Sequence, residues 1–541
     1  MNSFRLRWAG RTLCIIFLSF SLFACTRPNT LPVIGTLEPK SPLIFTANSR
    51  DVVEDRLEVG FSISDVEDSP AKLELSAVSS NLERVTGITI DCEQGSCLLT
   101  AEVDRKRPSN VKVELTLKDS RGGVASSSFS VKIEPDYLAE ASLGALQTAL
   151  ETAEAGAFLA LSPNLFSEPV SWSIKEELFL TKEVNLIGPG SDLLTLDAGG
   201  QSRHLRIAKG LKLSIEGFDF TNGQAQDDGG QGDFEALGGA IFNEGVLELK
   251  DITITSSQAV KGGAIYNFGQ AAQVIIRDSL FGGKSEATAN RASRSGGALF
   301  NDGGRLELYG SQVNFNLADE RGGGAYNLGE TATMLIDSSE FLSNVSLDGG
   351  AVKNEKGSLR VQNGSLLKDN TATEVEGGAI FNTDSKVEIV DSSIIGNVAL
   401  KGAGGGIYSF GENANVLIEN SHFQENSAIS GGGLYHEVGS GPLTIKASII
   451  EANRAENFGG GVFSGGPSSL SADSSIRANV ADSNGDDIGY GGGFFYIGED
   501  SSGISLSVIS NNQPDDFAQP IPDAALFQLL GLDPEKLPGN R

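Results

Sequence analysis

Acid–base chemistry near neutral pH calls for a histidine, or for two carboxylates whose surroundings push their pKa values apart. This 541-residue chain has three histidines, His204, His422 and His436, in unrelated local contexts. Carboxylates abound: 70 Asp and Glu stand against 41 Lys and Arg, for a net charge of −29. Acids this numerous in polar turns produce suggestive neighbours by chance, such as Asp486-Asp487, or Asp384 within Asn382-Thr383-Asp384. The excess reads first as a solvated acidic surface, and second as oxygen ligands for calcium, which needs several of them to converge. It argues against nucleic acid as a partner and against electrostatic docking on an anionic membrane. Phosphate chemistry has no support either, because Gly322-Gly323-Gly324 opens a strand rather than a helix.

The four cysteines divide into two pairs. Cys92 and Cys97 flank Glu93-Gln94-Gly95-Ser96, a turn-like stretch between Ile88-Thr89-Ile90 and Leu98-Leu99-Thr100. Opposite positions on a hairpin are close enough for a disulfide, so a structural clip is expected. Cys14 and Cys25 lie in a segment that reads as an address. Arg5, Arg7 and Arg11 precede an apolar run from Leu13 to Phe23, too short to span a bilayer comfortably. Leu22-Phe23-Ala24-Cys25 resembles the lipobox of bacterial lipoproteins. That resemblance implies removal of residues 1–24 and lipidation, palmitate included, of Cys25. Thr26 in place of the retention Asp implies the outer membrane. Membrane contact would then run through the N-terminal lipid only, with several acyl chains giving a firm anchor.

Aromatic rings supply another chemistry, stacking on sugar rings or on a protein partner. Here they recur in a repeat. Between residues 238 and 496 a glycine pair, a small residue, an apolar residue, an aromatic and often Asn follow one another ten times, opening at Gly238, Gly262, Gly296, Gly322, Gly349, Gly377, Gly404, Gly431, Gly459 and Gly491. A period of about 26–28 residues signals stacked supersecondary units. The apolar place, filled from Ile241 and Ile265 through to Phe494, is expected to point inward. Strand alternation turns its neighbour outward: Phe242, Tyr266, Phe300, Tyr326, Phe381, Tyr408, Tyr435, Phe463 and Phe495, with Lys353 among them. A column that admits a lysine is expected to be partly exposed. It is the candidate binding stripe for a glycan or protein ligand, unless an adjoining loop covers it and the rings stack only on each other.

The elements that must position these residues are short strands. Each unit offers the glycine strand, an alternating one such as Val246-Leu247-Glu248-Leu249, and a third ending at Asn, as in Asp337 to Asn344. Three strands and three turns make one coil of a parallel β-helix, and about thirteen coils would rise roughly 60 Å. Asn316, Asn344, Asn370, Asn397, Asn426, Asn453, Asn479 and Asn511 recur at one corner, where stacked amides can bond from coil to coil and Asn tolerates left-handed angles. The units resemble the GGA[IL]xxN repeats of the polymorphic outer membrane protein family and related right-handed β-helix surface proteins. The resemblance implies that fold and an adhesive role, although residues 513–541 are too few to form the C-terminal barrel of that family. β-Helices also host glycan hydrolases and lyases. Polygalacturonases use an Asn-x-Asp, an Asp-Asp and a Gly-His-Gly on neighbouring coils. In this chain the first two lie roughly four coils apart, and no Gly-His-Gly occurs.

The expected organisation is therefore all-β. A signal peptide (1–24) and a proline-bearing tether (25–45) precede an antiparallel sandwich (46–135), where Leu57, Val59, Phe61 and Ile63 alternate. Ser64-Asp65-Val66-Glu67-Asp68-Ser69-Pro70 and Lys118-Asp119-Ser120-Arg121-Gly122-Gly123 resemble loops of cadherin-like and immunoglobulin-like surface domains. Such loops sometimes hold calcium, which makes Asp65, Glu67, Asp68 and Asp119 candidate ligands. The β-helix (136–512) would be capped by a helix over 142–155, with Leu143, Leu146 and Leu150 on one face, and followed by a tail (513–541) with a short helix over Asp523 to Leu530. The expected function is a lipid-anchored, non-catalytic adhesin or display scaffold. Its inserted loops, Gly282 to Ser295 and Asn484 to Tyr490, are the best binding sites. The alternatives are a polysaccharide hydrolase or lyase and a purely structural envelope spacer.

Overall fold

A computed structural model describes residues 29–47, 55–225, 236–485, 489–498 and 500–519. Cys25, the signal segment, Asp486-Asp487 and the expected helix over 523–530 lie outside the described residues. The chain divides into two compact units at Pro135.

In the first unit, period-two alternation gives each strand one apolar face. Leu57, Val59, Phe61 and Ile63 of Asp55–Ser64 are all buried, as are Val111, Val113, Leu115 and Leu117 of Ser109–Lys118. Two four-stranded sheets bury these faces. One runs Val33–Ile34, Asp55–Ser64, Ser96–Val103, Val85–Glu93, and the other Leu43–Thr46, Val124–Glu134, Ser109–Lys118, Glu74–Ser79. In the hairpin between Val85–Glu93 and Ser96–Val103, Gln94 (φ 50°) and Gly95 (φ 87°) both take left-handed angles, the two-residue turn whose twist matches its strands. It sets Cys92 opposite Cys97, and the two form a disulfide with Cα atoms 4.1 Å apart. Part of the expected tether is folded. Val33–Ile34 and Leu43–Thr46 are edge strands, too short for alternation to register and placed where nearby prolines cost no ladder bond.

The second unit is a parallel β-helix. Ser142 caps the helix Leu143–Thr152 by accepting from the Ala145 N–H, and Leu146 and Leu150 are its buried residues, packed into the solenoid core. The helix is shorter than 142–155, because Ala153 already leaves helical angles. Beyond it the strands stack in register. A thirteen-stranded parallel sheet runs from Leu178–Leu180 to Phe517–Ala518, so the expected tail begins inside the last coil rather than after it. Ile241 pairs with Ile265, Ile265 with Leu299, and so on to Val462 with Phe494, all buried, as the apolar column predicts. The other long strands form a second continuous sheet. An eight-stranded sheet of strands mostly two residues long, such as Val345–Ser346, was too brief to read from periodicity.

The two glycines of each repeat do different work. Gly377 takes a φ of 72°, which a residue with a Cβ adopts only with strain. Gly378 allows close approach: a Cβ there would sit 2.2 Å from the Gly405 carbonyl oxygen of the next coil.

Buried asparagines hold the corners. The Asn316 side-chain N–H donates to Asn344 Oδ1 (3.0 Å) and to the Phe281 carbonyl (3.0 Å), while its backbone N–H also donates to Asn344 Oδ1 (2.9 Å). This pattern runs from Asn290 to Asn512, where both donors meet Asp516 Oδ1 (3.0 and 2.8 Å). Two expectations are corrected. The left-handed residue is the one before the ladder, such as Phe315, Ser343 or Asn511, and the last rung is Asn512 rather than Asn511. A second ladder joins Asn243, Asn267, Asn301, Asn327, Asn354 and Asn382 and ends on Ser409 Oγ. A serine column bonds backbone N–H to hydroxyl between coils, as in Ser311 to Ser339. Unpaired, each such buried group would cost about 1–3 kcal/mol.

Candidate functional site

The aromatic stripe turns outward from the core as alternation requires, yet seven of its nine rings are buried, and for those the expectation of partial exposure is overturned. Phe242, Tyr266, Phe300 and Tyr326 form their own buried cluster, only 2–3% exposed. Phe381, Phe463 and Phe495 are buried too, and Tyr408 and Tyr435 are half-buried. Each ring lies one rung from the next: Tyr266 and Phe300 stack at 4.9 Å, Tyr435 and Phe463 at 4.1 Å. On two strands the second outward residue also packs on the column: Phe268 on Phe242 and Tyr266, and Phe410 on Phe381 and Tyr408. Tyrosine hydroxyls are spent on carboxylates one coil on. Tyr266 donates to Asp302 (2.6 Å), Tyr326 to Glu355 (2.6 Å) and Tyr408 to Glu437. Burial, then the neighbouring carboxylate, pushes the Tyr326 hydroxyl far above its ordinary pKa. No face of these buried rings is free for a sugar.

Lys353 occupies one rung of this column, between Tyr326 and Phe381. It is 4% exposed, its Nζ 2.9 Å from the centre of the Phe381 ring and 3.4 Å from Asp348 Oδ2. Burial pushes its ammonium down to about 8 and raises the Asp348 and Glu376 carboxyls, so desolvation outweighs the attraction within the group. Asp348 Oδ1 is buried with no hydrogen-bond partner. Lys353→Ala strands that carboxylate, and a loss of about 3–5 kcal/mol is expected in urea unfolding. Lys353→Phe with Asp348→Leu completes the column with apolar groups and is expected to match or exceed the natural protein. If the single and double variants unfold at the same urea concentration, the ion pair is not what stabilises this rung.

An open recess lies on another flank, at the inserted loop. Residues after Phe281 leave the coil, make a short turn over Glu286–Thr288 and return in Arg291–Ser295. With neighbouring corners they enclose a cleft of about 400 Å³, lined by Ser256, Gln258, Glu286, Ala287, Ala289, Arg291, Phe315, Asn316, Leu317, Ser343 and Val345. A shallower recess of about 260 Å³ continues past Gln258 to Gln224, Asn222 and Gly200. Glu286 and Arg291 are exposed, and Glu286 is the one carboxylate in the lining. The insertion from Gly282 to Ser295 was legible as a candidate. The corner residues that complete the cleft were not, since only folding brings them beside it.

The remaining sequence candidates are occupied by structural bonds. Asp65 Oδ1 accepts from the Glu67 and Asp68 N–H groups, Asp68 from Ser120, and Asp119 from Gly123, Arg121 and Asn29. Glu67 accepts from Thr30. These acids organise their turns, and among the described residues no group of three His, Cys, Asp or Glu could hold a metal ion. Asn382 is a ladder rung, and Asp384 sits in the following turn with a φ of 46°. His204 and His436 are fully buried, each bonded to a backbone carbonyl, while His422 pairs at the surface with Glu451 (3.0 Å).

The second unit has the fold of a right-handed parallel β-helix. A family model described as a right-handed β-helix region matches residues 296–480. No curated protein matches the chain. Among solved structures it is similar to the Family 28 exopolygalacturonase of Yersinia enterocolitica, at 8% identity and a TM-score of 0.25, over 87% of this chain and 98% of that one.

Proposed function

We propose that the protein is a non-catalytic adhesin or display scaffold of the cell envelope, exported and lipid-anchored to the outer membrane through Cys25, that binds its ligand in the cleft beside the 282–295 loop. One observation carries this reading. Among the described residues, the inserted loop over 282–295 encloses a recess lined by hydroxyl, amide and charged groups around Phe315. Loops protruding from a rigid scaffold are where binding residues concentrate. Such a lining suits a glycan or a polar protein surface, which needs donors and acceptors beside an apolar platform. Two-carboxylate hydrolysis lacks its second acid among these lining residues. A plain spacer gives no reason for a distinct recess.

The test is binding of the purified protein to glycan arrays and to extracellular-matrix proteins, with the Glu286→Ala/Arg291→Ala variant as comparison. Both side chains are exposed, so the variant should fold normally. It is expected to lose at least tenfold in affinity, about 1.4 kcal/mol. Undiminished binding by the variant would remove the cleft from the proposal.

A further inference from the structure

We infer that the N-terminal end of the outward column is a second ligand site, which takes a neutral glycan by stacking a sugar ring on Phe179. Inside the solenoid, the open end is covered by Leu146 and Leu150 of the capping helix. The outward column runs further toward this end than the glycine repeats reveal: Phe179 pairs with Arg206, and Arg206 with Phe242. The Arg206 guanidinium lies 5.3 Å from the Phe179 ring and 5.4 Å from Phe242, so it stands as a rung between them. Leu178–Leu180 is the first strand of its sheet, which leaves Phe179, among the described residues, a stacked neighbour on one side only. Its ring is 52% exposed, whereas Phe242 two rungs on is 3% exposed.

That ring lines a cleft of about 470 Å³ between the capping helix and the strand, with Gln147, Glu151, Glu177 and Lys182 around it. The volume lies within the range of small-ligand sites. The walls are fixed in advance: Lys182 Nζ donates to the Glu151 and Ala153 carbonyl oxygens (2.7 and 2.8 Å), and Arg203 holds Glu177 at 2.8 Å. An aromatic face beside an amide and carboxylates suits the apolar face and hydroxyl rim of a pyranose. Lys182 and Arg203 offset the charges of Glu151 and Glu177, which suits a neutral sugar. The proposal rests on the preceding reading only in taking the protein to bind glycans, and it concerns different residues.

Full-length protein in detergent is titrated calorimetrically with maltohexaose, cellohexaose, mannohexaose and chitohexaose. At least one is expected to bind. Phe179→Ala should weaken that binding at least tenfold, with Phe179→Trp retaining it and Glu286→Ala/Arg291→Ala leaving it unchanged. Thermal melts of the Phe179 variants should overlay the natural protein, since the ring is half-exposed. Absence of binding by all four oligosaccharides, or equal binding by Phe179→Ala, overturns the site. Loss in the Glu286/Arg291 variant but not in Phe179→Ala overturns it too and leaves the flank cleft standing. The reverse pattern supports Phe179 and leaves the flank cleft to its own binding test. If Phe179→Ala loses only a protein ligand, the glycan assignment is wrong.

Discussion

Gly378→Ala is expected to abolish the folded solenoid around its coil, at a cost of about 5 kcal/mol or more. The added methyl would lie 2.2 Å from the Gly405 carbonyl oxygen and 2.6 Å from the backbone nitrogen and carbonyl carbon of Val398. All three neighbours are backbone, so no side chain can rotate away. Relief requires opening a rung whose spacing is set, at about 4.8 Å, by the hydrogen bonds of every strand in the coil. Gly364→Ala is the control. It has a φ of 78° but nothing within 4 Å of the added carbon, so it meets only left-handed strain, about 1–2 kcal/mol. Circular dichroism and limited proteolysis compare the two. A Gly378→Ala melt within a few degrees of the Gly364→Ala melt would refute the close-approach role.

Acid is expected to unfold the solenoid through two of its three histidines. Burial holds both His204 and His436 down to about 4, against a weaker opposing pull from the backbone carbonyls they bond. His436 Nε2 bonds the Gly441 carbonyl (2.6 Å), and its Nδ1 is buried without a partner, so a second proton would have no acceptor. The unfolded chain takes up these protons near 6.5 and the folded one near 4. Stability is therefore complete above about pH 6.5, falls as pH drops from there to about 4, and levels off below. Each histidine is worth about 3 kcal/mol over that window. Urea unfolding at pH 7, 6, 5 and 4 should show the decline, and His204→Gln with His436→Gln should flatten it. A decline of equal slope in the double variant would assign the acid sensitivity to the carboxylates instead.

The coil architecture was legible because a parallel stack repeats its demands. Each rung needs the same left-handed glycine, the same close-approach glycine and the same corner asparagine, so these letters recur at one spacing. What escaped was whatever depends on neighbours above and below. Residues 178–180 and 205–207 belong to the thirteen-stranded sheet but carry no glycine pair, so Phe179 and Arg206 were not seen as rungs. The closure of the aromatic column was legible in part. The carboxylates that receive Tyr266, Tyr326 and Tyr408 stand two places beyond the equivalent residue one coil later, at Asp302, Glu355 and Glu437. Where the column has Phe242 or Phe381, that place holds Phe268 or Phe410 instead. Lys353 misled because a lysine normally implies water. Here a ring and a carboxylate take water's part.

The amide-to-amide bonds of the corner column run one way: from Asn316 to Asn479 each side chain donates one N–H to the Oδ1 of the next rung toward the C-terminus and the other to a carbonyl of the coil before it, and its own oxygen faces back. At Asp516 the series meets a carboxylate, which accepts from Asn512 and has no hydrogen to hand onward. A full stop of this kind sets length. Whole coils duplicated upstream would leave both ends of this ladder chemically unchanged, whereas a further asparagine rung placed beyond Asp516 would receive no side-chain N–H from it.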